Sequence, residues 1–123
     1  MPVYRAPVED MKFLINELLE LETLKDVPQF DELTPDLVDD VLTNAAKFAE
    51  EVLQPLNQSG DEEGCHYENG VVRTPKGFKE AYKQYCEAGW GGLAAPVPFG
   101  GSGLPIMLTM AVAEMGLSAN QSF

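Results

Sequence analysis

Apolar residues recur at three- and four-residue spacings in four stretches of the chain, and each stretch predicts a helix. The first carries Met11, Leu14, Ile15, Leu18 and Leu19, widened by Leu21 and Leu24. Glu9, Asp10, Glu17, Glu20 and Glu22 take most of the positions between, so the pattern predicts an amphipathic core-packing helix from about Val8 to Leu24. Ahead of it, the prolines of Met1–Pro7 bracket Tyr4-Arg5 and predict an extended arm. Behind it, Pro28 forbids simple continuation.

The second stretch has the strongest period. Thr34 is placed as N-cap, Pro35 at the first helical position and Asp36 in the first turn, where its charge suits the helix dipole. Leu37, Val38, Val41, Leu42, Ala45, Phe48, Ala49, Val52 and Leu53 form the apolar stripe. A proline costs about 3 kcal/mol inside a helix, so Pro55 predicts a kink or stop, with fraying by Ser59-Gly60. Thr74-Pro75 repeats the cap-plus-proline start, and Phe78, Ala81, Tyr82, Tyr85 and Cys86 form the buried stripe of a short third helix ended by Gly89. Pro105 opens a fourth, through Met107, Met110, Ala111, Glu114 and Met115 to about Gly116, capped by Ser102 or the loop backbone. This last helix is apolar nearly all round, the mark of an element enclosed on several sides. Little in the chain is left to enclose it, which predicts a fragment whose Met107–Met115 face is exposed and drives self-association.

Two irregular stretches separate these helices. Asp61-Glu62-Glu63-Gly64 is an acidic turn whose glycine comes too early for a calcium loop. Residues 65–72 follow as a small hairpin or ordered loop with Asn69-Gly70 as its tight-turn dipeptide. Ala88–Pro105 holds six of the chain's eleven glycines and three of its nine prolines, together with its only tryptophan. Such a run is neither regular helix nor sheet, and it is too apolar for a flexible linker. It predicts an ordered loop anchored by Trp90, Leu93 and Phe99, whose glycines approach neighbouring helices closely. The fold class is all-α, a bundle of about four main helices with a long ordered Gly/Pro loop.

Composition narrows the function classes. The 123 residues are 45% hydrophobic, enough for one core. A formal charge of −12 argues against nucleic acid and against anionic membrane surfaces. No apolar run approaches the roughly 20 residues of a membrane span. Two cysteines with no secretory leader point to a reduced, cytoplasmic protein. A metal or redox site on Cys65, His66 and Cys86 lacks further clustered ligands; Cys65 reads as a half-buried loop contact and Cys86 as a small core residue. The glycine loop has no Lys-Ser/Thr for a phosphate loop and no strand or spacing for a dinucleotide fingerprint. The residues themselves present no catalytic constellation, no cofactor site and no metal site, and a complete small helical interaction module remains an alternative to a piece of an enzyme.

The order of the pieces resembles a known family. Pro75-Lys76-Gly77-Phe78, then Glu87-Ala88-Gly89-Trp90, Ala95-Pro96 and Gly100-Gly101-Ser102-Gly103-Leu104, with Ala113-Glu114-Met115 on the following helix, is similar to the N-terminal helical domain of the acyl-CoA dehydrogenases. Pro55 with Asp61 fits the same pattern, and the likeness covers about residues 33–123. Residues 1–32, in particular Tyr4–Met11, resemble the N-terminal extension of a longer subfamily that includes the 3-(methylthio)propionyl-CoA dehydrogenases, as does Gly70–Pro75. The resemblance implies a flavoenzyme with FAD in the full-length protein and none bound to this fragment. A glutamate takes the proton α to a thioester, the β-hydride passes to the flavin, and electrons leave to an electron-transfer flavoprotein. In the family the base and most of the flavin site lie downstream of this domain, so Glu114 is not that base and the fragment alone is inactive. The family asks this domain for one wall of the acyl-CoA cavity, which makes Asn120, Gln121 and Phe123 the substrate-lining candidates. The expected full-length protein is a homo-oligomer.

Overall fold

A computed structural model describes residues 3–123. Met1 and Pro2 of the arm lie outside the described residues. The rest of the arm is extended and tied down: Arg5 Nη1 and the Ala6 amide donate to the two carboxylate oxygens of Glu50, each at 2.8 Å.

Among the described residues the main elements are five α-helices and one small hairpin: α1 (Val8–Phe13), α2 (Pro35–Phe48), α3 (Gln54–Glu63), β1 (His66–Glu68), β2 (Val71–Arg73), α4 (Phe78–Glu87) and α5 (Ile106–Ala119). The architecture is mostly helical, as the patterning predicts. α2 packs most extensively on α5, and α1 lies against α2. Val38 and Leu42 of α2 meet Leu108 and Met115 of α5 in the core, all four fully buried. Burying each such side chain stabilises the fold by roughly 1.5–3 kcal/mol.

The first helix ends sooner than its period predicts. After Phe13 a π-helical turn runs from Leu14 to Leu18, closed by the Leu19 amide on the Leu14 carbonyl at 2.9 Å. Glu20 is left-handed at φ 48°, so helix cannot reach Leu24, and Leu21–Leu24 forms a separate 3-10 turn. Met11, Ile15 and Leu21 reach the core, but Leu14, Leu18 and Leu19 are exposed.

The second helix runs longer than predicted. Thr34 Oγ1 accepts from the Leu37 amide at 3.2 Å, the expected N-cap. Pro55 neither stops nor frays the helix, because a second π-helical turn, Ala49–Leu53, widens the backbone immediately before it. The wide turn shifts the hydrogen-bond register where proline offers no donor, and helix resumes to Glu63. Gly60 belongs to that helix and is buried: a Cβ there would lie 2.7 Å from two atoms of the Phe78 ring.

The hairpin forms as the dipeptide demands, with Asn69 and Gly70 both at positive φ and Tyr67 paired with Val72. Cys65 is exposed rather than half-buried, since no element covers this hairpin. α4 begins at Phe78, with left-handed Gly77 rather than Thr74 as its cap. Of its expected stripe, Phe78 and Ala81 are buried and Tyr85 is half-buried, whereas Tyr82 and Cys86 face solvent. Gly89, at φ 75°, ends it as expected.

The stretch from Ala88 to Pro105 is an ordered loop that holds itself together. The amides of Ser102, Gly103 and Leu104 donate to the carbonyls of Gly92, Ala95 and Leu93 at 3.0, 2.9 and 2.8 Å. Gly101 sits so close beneath Ala95 that a Cβ would come within 2.0 Å of its carbonyl oxygen. Trp90 and Leu93 anchor the loop, but Phe99 is 86% exposed and anchors nothing. α5 then starts after a buried Pro105 without a side-chain cap, and it runs one turn past Gly116 to Ala119. Its Met107–Met115 face divides: Met115 is fully buried, Met107 half-buried and Met110 exposed.

Candidate functional site

An apolar groove of about 380 Å³ opens between the π-turn of the second helix, α4, the Trp90 turn and α5. Leu53, Tyr85, Trp90, Thr109 and Val112 wall it, and Asn120 and Phe123 close its C-terminal end. The construction follows from the sequence. Thr109, Val112, Ala113 and Gly116 recur on α5 at three- and four-residue spacing and so share one face. Gly89 turns the chain sharply enough to bring Trp90 opposite that face, where its ring lies 6.5 Å from that of Phe48.

Of the three substrate-lining candidates, the structure brings two to this groove. Asn120 is 2% exposed and ends α5. Its Nδ2 donates to the Leu53 carbonyl at 3.2 Å, and its Oδ1 accepts from the amide and hydroxyl of Ser122 at 3.2 and 2.9 Å. Phe123 sets its ring at a tilt 6.0 Å from that of Phe78 and edge-on 6.1 Å from that of Tyr85, forming the outer wall. Gln121 is exposed on the turn after α5. Glu114 lies away from this groove, exposed on the other side of α5.

Sequence reading missed Thr109 as a wall residue, although its spacing from Val112 and Gly116 was visible. The sequence pattern gives Trp90 and Tyr85 a packing role alone. The Nε1 of Trp90 and the Oγ1 of Thr109 are both buried without a protein partner. A buried polar group left unsatisfied costs about 1–3 kcal/mol, so these two mark the groove as a place where packing is not the whole requirement.

Titration adds little chemistry here. A hydrogen bond with Cys86 pushes the Tyr82 phenol up, and both residues are exposed. Among the described residues no group of three or more His, Cys, Asp and Glu side chains could hold a metal, and Cys65 and Cys86 are free thiols. His66 Nε2 is engaged locally with the Glu63 carbonyl at 2.9 Å. Nor does the loop from Gly100 to Leu104 fit a flavin pyrophosphate. A phosphate cradle needs free backbone amides pointing outward, whereas the amides of Gly100 to Leu104 are spent inside the loop on the carbonyls of Val97, Pro96, Gly92, Ala95 and Leu93. No helix among the described residues is long and apolar enough to cross a membrane.

Comparison with known proteins gives this geometry a context. Residues 38–123 match the model of the acyl-CoA dehydrogenase N-terminal domain. Over 120 residues the chain is 37% identical to a 3-methylmercaptopropionyl-CoA dehydrogenase of Ruegeria pomeroyi, covering 98% of the chain and 20% of that protein. Over 92 residues it is 35% identical to a butyryl-CoA dehydrogenase of Syntrophomonas wolfei, covering 72% of the chain and 15% of the relative. A broad-specificity linear acyl-CoA dehydrogenase of Mycobacterium tuberculosis is 26% identical over 122 residues, with coverage of 98% and 20%. The chain thus spans at most a fifth of the length of these relatives.

Proposed function

The chain belongs to the acyl-CoA dehydrogenase family, and on that premise we propose that it is the N-terminal helical part of an FAD-dependent enzyme desaturating an acyl-CoA thioester. Residues 33–123 are the domain proper and residues 1–32 an extension ahead of it. The observation that carries this reading is the apolar groove inside the matched region, walled by Trp90 and α5 and closed by Asn120 and Phe123. A groove of this lining excludes water from an acyl chain and gives it a fixed wall. Asn120, held by Leu53, fixes the end of α5, and Phe123 covers the groove from outside. Gln121, one residue beyond Asn120, completes the proposed lining once the turn is covered.

The acyl group is of the kind named for the relatives, a short or linear acyl-CoA. FAD is held by other parts of the full-length polypeptide, because the glycine loop here turns its amides inward. The full-length enzyme is a cytoplasmic homo-oligomer that passes electrons to an electron-transfer flavoprotein. The 123-residue chain alone is inactive and colourless. The test compares the purified chain with the full-length polypeptide by flavin absorbance and by acyl-CoA-dependent dye reduction. Flavin and turnover in the full-length protein alone are expected. Turnover by the isolated chain, or a full-length protein that takes up no FAD, would overturn the reading.

A further inference from the structure

The N-terminal arm alternates as a strand does. Tyr4, Ala6 and Val8 are half-buried and pack against the core, whereas Val3, Arg5 and Pro7 are exposed. The arm is fastened at one residue of the second helix. The Ala6 amide and Arg5 Nη1 donate to separate carboxylate oxygens of Glu50, each at 2.8 Å. Burial pushes the Tyr4 phenol up, with Ser118 and Glu114 of α5 and Glu50 as its neighbours. The arm therefore reaches both the second helix and the C-terminal half of α5.

Glu50 lies in the π-turn Ala49–Leu53, and the same turn carries the Leu53 carbonyl that accepts from Asn120 Nδ2 at 3.2 Å. One turn thus holds two ties of long sequence separation, 44 positions from Ala6 to Glu50 and 67 from Leu53 to Asn120. It has no side-chain cap, and Pro55 just beyond it supplies no amide donor. Wide turns of this kind are frequent at functional sites. Here the arm grips one side of the turn, and the residue that closes the groove grips the other. The ion pair between Lys12 of α1 and Asp39 falls instead on the regular part of α2 and involves neither Glu50 nor Leu53.

We propose that Glu50 is a positioning residue for the groove: by clipping the arm it fixes the π-turn, so that Leu53 meets Asn120 and the C-terminal end of the groove stays closed. The arm is a strap, and its release loosens the groove at Asn120 and Phe123. That this groove holds an acyl chain rests on the proposed function; the strap stands on the contacts of Glu50 and Leu53 alone.

The first measurement is hydrogen exchange of single amides in the 123-residue chain. The reporters are Asn120, whose amide donates to the Gly116 carbonyl, and Ser122, whose amide donates to Asn120 Oδ1. The references are the Ala81 and Ala88 amides, which close the two ends of α4. Glu50→Ala is expected to lower protection at the reporters about fivefold or more relative to the references. Glu50→Gln, which keeps an acceptor for the Ala6 amide, should restore part of it. Arg5→Gln, on an exposed side chain that leaves the fold intact, should give a weaker loss at the same two amides. Asp39→Asn, which breaks the Lys12 pair on the same helix, should leave the ratio unchanged. Equal loss at reporters and references, no loss at the reporters, or the same effect from Asp39→Asn overturns the strap. The second measurement is steady-state turnover of butyryl-CoA and octanoyl-CoA by the full-length polypeptide. Glu50→Gln should raise KM about threefold or more and keep kcat within about twofold, because a groove wall binds ground and transition states alike. An unchanged KM, or a fall in kcat alone, overturns the link to the groove. A full-length parent without flavin or turnover counts against the proposed function instead, and hydrogen exchange still decides the strap.

Discussion

The side-chain amide of Asn120 reaches across 67 positions of sequence to the main-chain carbonyl of Leu53, at 3.2 Å in the buried interior. That bond joins the end of α5 to the π-turn of the second helix, the two sides of the candidate groove. Asn120→Ala would strand the Leu53 carbonyl's partner position and free the turn at Ser122. We expect a loss of about 1–3 kcal/mol, read as a lower urea midpoint with unchanged slope.

Gly60 and Phe78 form a second such pair. Alanine is better than glycine inside a helix by about 1 kcal/mol, but its Cβ would sit 2.7 Å from the Phe78 ring. Overpacking costs typically 1–3 kcal/mol, so Gly60→Ala is expected to destabilise on balance. In the Phe78→Leu background the same change should cost less or become favourable, and a double-mutant cycle by thermal unfolding measures the coupling.

The loop glycines are not equivalent. A methyl on Gly101 would meet the Ala95 backbone at 2.0 Å, whereas one on Gly92 would meet only the Gly101 Cα at an ordinary 3.7 Å. Gly101→Ala should therefore disrupt the loop and expose Trp90, while Gly92→Ala stays within about 1 kcal/mol of the parent. Trp90 is the only tryptophan, so a red shift of intrinsic fluorescence in the first variant and not the second checks both.

Glu50 couples the arm to the second helix. The Ala6 amide, and after it the Arg5 guanidinium, hold its carboxyl below the usual carboxylate range. A depressed folded-state pKa means stability present above the unfolded value, about 4.3, and lost as pH falls through the lower folded value. The partly exposed site limits this to roughly 1 kcal/mol. Glu50→Gln should be less stable than the parent at pH 7, and the gap should close as pH falls below about 4.3. Urea midpoints across that range test the sign.

Much of the architecture was legible in the chain. The stripe from Leu37 to Leu53, the Thr34-Pro35 start, the Asn69-Gly70 turn and the stop at Gly89 all depend on local dihedral preference and period, which neighbouring residues carry themselves. The motif string from Pro75 to Met115 likewise carried the family, because it records the order of turns rather than any contact. What local patterning could not supply was the outcome of competition between elements. Pro55 predicts a kink or stop by its missing donor, and the wide turn ahead of it keeps the helix running. Leu14, Leu18 and Phe99 are apolar and read as core, but burial is decided by which side of a helix or loop is covered by another element, and these stay exposed. The resemblance marks Asn120 as a substrate-lining candidate, and only the approach of Leu53 from 67 positions away makes it a buried tie between two helices.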